Sequence, residues 1–249
     1  MKTLKTIFLI IVFAVIFETS AFSESGFEFI LNVPLGLGIG IPVQSYRDYG
    51  YKSGVGFDGG IAAQIGYLTQ ISDLLGISVF AELGYSHSSY AISCKSSASS
   101  ELLSYSFNNF QTGLITKLNI DAFSVGIGLG VKIPMTGKLI KKYKSGAIND
   151  TTEKKLKRND INDILSPSVI AYVKATFDYS VFFTEKLAMN VGLYFGYDMP
   201  IYAKNENLSS SHFLVMRMKL PVRIIIHDFH LGLQLGFRFS NVKHKSVLN

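Results

Sequence analysis

A histidine followed two positions later by a serine is the sequence feature most suited to nucleophilic catalysis. His87 is followed by Ser88 and Ser89, and a histidine can act as the base that activates a serine hydroxyl. Side chains two positions apart in a strand point to the same face, so His87 and Ser89 would be neighbours. The strand pattern described below turns His87 outward, which suits either a lipid substrate or an ordinary interface residue. A lipid-modifying enzyme is therefore one alternative.

The other histidines and the acidic residues show no spacing that predicts a metal site. His212, His227, His230 and His244 are expected on a loop edge, in a turn, at an inward strand position and in the C-terminal tail. Cys94 is the single cysteine, which excludes an intrachain disulfide and a cysteine-based zinc site. We predict no metal ligand, no catalytic residue and no cofactor.

A larger set of charged residues falls on one face of the predicted strands. The set consists of Glu28, Asp58, Glu82, Lys117, Lys132, Lys174, Asp178, Asp198, Arg217, Lys219, Arg223 and Arg238. Such charges can pair with one another and fill a narrow interior, or they can line a channel. Because Arg217, Lys219 and Arg223 share one strand face, a channel would favour anions.

The segment 134–168 concentrates basic residues. They are Lys138, Lys141, Lys142, Lys144, Lys154, Lys155, Lys157 and Arg158, against four acidic residues. The segment is interpreted either as a solvated loop with a short helix near 152–165 or as a contact surface for anionic glycolipid headgroups or host polyanions.

The elements that must position these residues are strands, because the chain alternates with period two. Every odd position from Phe27 to Ile41 is apolar, which predicts a strand of about fifteen residues. Similar segments lie at about 55–71, 77–87, 110–120, 123–133, 169–183, 187–199, 214–226 and 229–239. Soluble strands average about five or six residues. These longer ones can cross a bilayer at a tilt.

Charge and connection length both indicate a transmembrane barrel. The charged residues of the nine segments all lie opposite the apolar face, and most of the 22 glycines share the charged face. An isolated charge near the bilayer centre costs about 2 to 4 kcal/mol, which explains its absence from a lipid-facing surface. Tight turns near 72–76, 121–122, 184–186 and 227–228 alternate with polar loops near 42–54, 88–109, 134–168 and 200–213. This is the layout of periplasmic turns and outer loops.

Aromatic residues are expected in two girdles at the strand ends. Phe229 is assigned to the turn side, whereas Phe237 and Phe239 are assigned to the loop side. At the start of the chain, Lys2, Lys5 and the apolar segment 7–17 predict a signal peptide over residues 1–23, with cleavage before Glu24. Residues 24–249 then form one barrel domain. The composition, 48% apolar and 17% charged, argues against disorder and against nucleic-acid binding.

The alternating strands, the signal peptide and the aromatic-ended segment 231–239 resemble small bacterial outer-membrane β-barrel proteins of the OmpA and OmpX type. The resemblance covers nearly all of residues 26–240 and implies fold and location more than activity. We predict an all-β, antiparallel, up-and-down transmembrane barrel of eight to ten strands, with ten favoured, in a Gram-negative-type outer membrane.

We expect a non-enzymatic surface protein that presents four outer loops and contacts outer-membrane lipid. A small passive pore is the other alternative.

Overall fold

The computed structural model describes residues 25–42, 44–72, 74–96, 99–166, 168–203 and 226–241. The predicted signal peptide and most of the predicted strand 214–226 lie outside these ranges. The same holds for the predicted interior charges Arg217, Lys219 and Arg223. In the described ranges, no helix has both the length and the apolar content needed to span a membrane.

Ten strands and two short helices follow one another in the described parts of the chain. They are β1 (Gly26–Pro42), α1 (Gln44–Asp48), β2 (Tyr51–Ser72), β3 (Leu75–Lys95), β4 (Ser99–Ile120), β5 (Phe123–Ser145), β6 (Ile148–Lys157), α2 (Arg158–Ile164), β7 (Leu165–Ser166), β8 (Ile170–Phe182), β9 (Leu187–Ala203) and β10 (Ile226–Ser240).

Eight of these strands close into one antiparallel ring. The order is β1, β2, β3, β4, β5, β8, β9 and β10, and β10 pairs back onto β1, with Leu233 opposite Leu35. Strand β6 pairs only with the outer part of β5, and β7 pairs with the end of β9. The predicted all-β antiparallel barrel is confirmed. The ring matches the eight-stranded alternative, and the favoured count of ten is not confirmed.

The last strand runs in the opposite direction from the one predicted. His227 and Asp228 were expected in a tight turn, but both lie within β10, which pairs directly with β9. Phe229 is therefore at the loop end, opposite Tyr197, whereas Phe237 and Phe239 are at the turn end. The error has a physical source, because segment 214–226 alternates in sequence like the strands of the ring, and alternation alone does not show which strands pair.

Two predicted outer loops are largely strand. Strands β3 and β4 stay paired as far as Lys95 and Ser100, and β5 and β6 form a hairpin that ends at Ser145 and Ile148. The helix expected near 152–165 is shorter and begins at Arg158. Outside a bilayer these strands need no apolar face, so their sequence lacks the alternation used to predict strands.

The two faces of the ring differ as the alternation predicts. Outward Leu35, Leu129 and Leu233 are 49%, 63% and 57% exposed, whereas inward Gln64 and Glu82 have no exposed surface. A soluble barrel would carry its apolar residues inside. The exposed apolar surface is the kind that lipid covers.

Glycine pairs make room for tyrosines that cross the interior. Gly36 lies opposite Gly232, and a methyl group on Gly36 would lie 2.6 Å from the Tyr194 hydroxyl. Gly113 lies opposite Gly130, and a methyl group on Gly113 would lie equally close, 2.6 Å, to the hydroxyl of Tyr172. Glycine at these positions is thus explained by close approach.

Candidate functional site

The barrel interior holds three groups of polar side chains, stacked from the turn end to the loop end. At the turn end, Arg238 on β10 donates from Nε to Glu28 Oε1 on β1 at 2.9 Å. The other oxygen of Glu28 accepts a hydrogen bond from Ser78 on β3 at 2.8 Å. Asn119 in turn donates to Ser78 at 2.8 Å. All four residues are buried, so this network joins four strands across the lumen.

The middle of the interior is organised around Glu82. Its carboxylate accepts hydrogen bonds from Gln64 at 2.8 Å, Gln111 at 3.1 Å, Tyr172 at 3.1 Å and Lys174 at 2.7 Å. These donors come from β2, β4 and β8, whereas Glu82 lies on β3. Side chains from four strands therefore meet at one carboxylate and span the lumen.

Lys117 and Asp178 form a further ion pair in the interior. Lys117 Nζ is 2.9 Å from Asp178 Oδ2, and both side chains are almost fully buried. Gln234 on β10 donates to the other oxygen of the Asp178 carboxylate. This part of the interior is therefore occupied by paired charges, as expected for a filled barrel and not for an open channel.

The loop-end cluster comprises Asp58, Lys132, Asp198, Asp228 and His230. Lys132 Nζ lies 2.8 Å from Asp198 Oδ2 and 3.3 Å from His230 Nε2. The same imidazole nitrogen is 3.0 Å from Asp198 Oδ2 and 3.4 Å from Asp228 Oδ2. On the other side of the ring, His230 Nδ1 lies 3.5 Å from Asp58 Oδ1. Three carboxylates thus surround one imidazole and one ammonium group.

Several polar atoms of the loop-end cluster have no hydrogen-bond partner. Both carboxylate oxygens of Asp228 are in this state, although the residue is only 3% exposed. One oxygen of Asp58 and one of Asp198 also lack a partner. Tyr194 donates to the remaining oxygen of Asp58 at 2.8 Å. Buried carboxylates normally have their hydrogen-bonding capacity filled, so this cluster differs from the groups below it.

The structure places the described members of the predicted charged set inside the barrel. Eight are buried: Glu28, Asp58, Glu82, Lys117, Lys132, Asp178, Asp198 and Arg238. Lys174 is half-buried and pairs with Glu82. Sequence analysis missed Asp228 and gave His230 an inward strand position without a functional role. Their spacing, two positions apart on one strand face, was the available signal.

His87 and Ser89 have other partners. The Ser89 hydroxyl donates to the backbone oxygen of Phe57 and accepts from its backbone nitrogen, at 2.9 Å and 2.7 Å. His87 Nδ1 is 2.8 Å from Asn108 Oδ1. The Ser89 hydroxyl fills backbone hydrogen bonds where the pairing of β2 with β3 shifts register. His87 and Ser89 are therefore not hydrogen-bonded to each other as a catalytic base and nucleophile would be.

The basic residues of 134–168 divide between the two faces of the β5–β6 hairpin. A register shift at Asn108 and Asn109 changes the phase of β5, and Gly137 then pairs with buried Phe107. Even positions of β5 beyond this point continue the outward surface of the barrel. With their partners on β6, they form the outer lysine face, which we define as Lys138, Lys142, Lys144, Lys155 and Lys157.

The remaining basic residues of this segment belong to the inner face or to the packing of the hairpin. Lys141 pairs with Glu101 at 2.8 Å. Lys154 lies opposite Leu139, and Leu156 packs against Ile161 and the aromatic residues of β3 and β4. Arg158 donates to the backbone oxygens of Pro134 and Ser168, each at 2.9 Å. The contacts of the inner face thus hold the hairpin against the barrel, and the outer lysine face takes no part in this packing.

The outer lysine face carries little compensating negative charge. Lys138 forms an ion pair with Glu153 at 2.9 Å, and both side chains are about 40% exposed. Lys138 also lies directly opposite Lys155 in the hairpin. Directly opposed like charges destabilise a strand pair, so Lys138 and Lys155 do not stabilise the hairpin through each other.

Several solved structures of outer-membrane proteins are similar to this chain at low sequence identity. Ail, the attachment invasion locus protein of Yersinia pestis, shares 14% identity over 86% of this chain and 99% of its own, with a TM-score of 0.35. The outer membrane protein OprG from Pseudomonas aeruginosa shares 14% over 90% and 99%, with a TM-score of 0.34. The outer membrane protease OmpT from Escherichia coli shares 9% over 90% and 99%, with a TM-score of 0.39.

The chain is similar to outer-membrane β-barrel proteins. This is the class predicted from the alternating strands. No protein-family model and no curated protein sequence matches the chain. The strand pairing of the chain itself establishes the fold.

Proposed function

We propose that the protein is a non-enzymatic outer-membrane β-barrel that uses the outer lysine face of the β5–β6 hairpin to contact anionic groups at the cell surface. The carrying observation is the position of these five lysines on the continuation of the lipid-facing surface. Met135, 47% exposed, lies three residues before Lys138 on the same strand. The lysines therefore follow directly after the apolar surface.

Location in the outer membrane is supported by the apolar outside and charged inside of the ring. A charge facing hydrocarbon costs several kcal/mol, whereas a lysine just beyond the hydrocarbon meets headgroups and water. Phosphate groups of an anionic glycolipid would lie at that depth. Electrostatic attraction of this kind weakens as salt screens it.

The test compares anion binding after substitution of the five lysines of the outer lysine face with anion binding after substitution of exposed lysines elsewhere. The protein is reconstituted in neutral phosphatidylcholine nanodiscs, and binding of labelled lipopolysaccharide and of labelled heparin is measured at low and at high salt. One variant carries K138Q, K142Q, K144Q, K155Q and K157Q. The control carries K52Q, K95Q, K154Q and K186Q, at exposed lysines outside the outer lysine face.

We expect salt-sensitive binding that falls at least about tenfold in the five-lysine variant and little in the control. Loss of lipopolysaccharide binding alone would identify a membrane glycolipid as the partner, and loss of heparin binding a soluble polyanion. Unchanged binding of both probes by the five-lysine variant would contradict the proposal.

A further inference from the structure

We infer that the loop-end cluster is a binding site for one divalent transition-metal cation, with Asp198, Asp228 and His230 Nε2 as ligands. One candidate ligand atom from each of the three residues lies within 4.8 Å of the other two. Imidazole nitrogen together with carboxylate oxygen suits zinc and its neighbours in the first transition row. The three residues come from β9 and β10, adjacent strands of the ring.

The separations of the ligand atoms fit a shared cation. His230 Nε2 is 3.0 Å from Asp198 Oδ2 and 3.4 Å from Asp228 Oδ2. Two ligands that each lie about 2.1 Å from a zinc ion in tetrahedral geometry are about 3.4 Å apart. The side chains therefore need little movement to meet at one ion.

The burial of Asp228 is a second observation, independent of the ligand distances, that points to a bound cation. Its carboxylate is 3% exposed and neither oxygen has a hydrogen-bond partner. A buried carboxylate without donors is costly, and a cation bound to it removes that cost.

The net charge of the cluster also calls for a cation. Asp58, Asp198 and Asp228 contribute three negative charges, and Lys132 contributes one positive charge. With a neutral imidazole the cluster carries two excess negative charges in a buried site, which a divalent ion balances.

The other nitrogen of His230 has the setting of a metal-bound histidine. Nδ1 faces Asp58 Oδ1 at 3.5 Å, and Tyr194 holds the other oxygen of Asp58 at 2.8 Å. Carboxylates commonly orient ligating histidines through the nitrogen that does not bind the metal. Asp58 is thus a positioning residue for His230.

Lys132 competes with the cation. Its ammonium group lies 2.8 Å from Asp198 Oδ2 and 3.3 Å from His230 Nε2. Removing the ammonium group should therefore strengthen metal binding.

The experiment measures zinc bound by refolded protein. Chelator-treated protein is folded into detergent with and without Zn²⁺, dialysed, and analysed for zinc content by plasma mass spectrometry and for affinity by calorimetry. The variants are D228N, H230Q and K132M. H227Q is the matched control for histidine, because His227 faces Tyr197 instead of the cluster. D178N is the matched control for a buried carboxylate.

We expect one zinc per wild-type chain, at least about a tenfold loss of affinity in D228N and H230Q, and little change in H227Q and D178N. K132M should bind zinc more tightly than wild type, which damage to the fold cannot produce. Different mobility of boiled and unboiled samples on a denaturing gel shows that each variant has folded. Absence of zinc from folded wild-type protein, or equal loss in H227Q and H230Q, would overturn the inference.

Discussion

Arg238 and Glu28 are 210 positions apart in the sequence, and their side chains form an ion pair at the seam of the barrel. Arg238 Nη2 lies 2.5 Å from Glu28 Oε1, and Nε of the same guanidinium donates to that oxygen at 2.9 Å. Both side chains are buried. The first and last strands of the ring are therefore joined by a charge pair inside the barrel as well as by their backbone ladder.

Arg238→Met is expected to lower the free energy of unfolding by about 3 to 5 kcal/mol. The substitution leaves the buried carboxylate of Glu28 without its cation, and breaking a buried ion pair from one side has a cost of this size. Urea-induced unfolding of protein folded in lipid vesicles gives the measurement. Lys138→Met, which breaks the exposed pair with Glu153, is the control and should cost at most about 1 kcal/mol. Equal losses in the two variants would contradict the buried pairing.

Leu129→Arg is expected to reduce folding into lipid vesicles, because Leu129 faces outward near the middle of β5 and a charge there meets hydrocarbon. The cost should be about 2 to 4 kcal/mol. Folding yield into vesicles checks this expectation. Leu129→Gln should be milder, and Thr136→Arg, at an exposed position beyond the apolar surface, should fold normally. Normal folding of Leu129→Arg would mean that lipid does not cover this face.

Wild-type protein is expected to show no stable conductance in planar lipid bilayers. Glu82 and its four donors occupy the middle of the lumen, and the buried Lys117–Asp178 pair fills more of the interior. Single-channel recording at several voltages tests the expectation. Regular, voltage-independent current steps from purified protein would favour the passive-pore alternative over a filled barrel.

Cysteines introduced at Lys142 and at Lys155 are expected to react with a membrane-impermeant thiol reagent on intact cells, in a background that carries Cys94→Ser. A cysteine at Glu185, in the turn between β8 and β9, should react only after the outer membrane is opened. The change in mobility caused by the reagent gives the readout on a gel. Labelling of position 185 on intact cells would place the turn end outside and invert the topology.

Alternation predicted the two faces of the strands because lipid imposes one requirement on every outward position. Leu35 and Leu129 must be apolar whatever lies beside them, so each residue by itself indicates which face of the strand it occupies. The partner of an inward charge is a different problem. Glu82 and Lys174 are 92 positions apart, and they meet only because β3 and β8 face each other across a ring of a certain size.

The errors at the end of the chain follow from the same limit. Segment 214–226 alternates as a strand does, but ring closure is decided by pairing between β9, β10 and β1, which no local pattern contains. Counting it as a ring strand put His227 and Asp228 in a turn. For this reason the sequence did not predict that Asp228 and His230 lie beside Asp58 and Asp198.

The glycine pairs opposite Tyr172 and Tyr194 have a consequence for how this sequence can diverge. An outward position such as Leu233 asks only for an apolar side chain, so leucine, isoleucine, valine and phenylalanine are interchangeable there at small cost. Gly36 and Gly232 accept no such exchange, since a methyl group on either would clash with the backbone of the paired strand and with the side chain of Tyr194. Outward positions can therefore change among apolar residues during evolution. The inward positions, which do not touch the membrane, require particular residues and define this barrel.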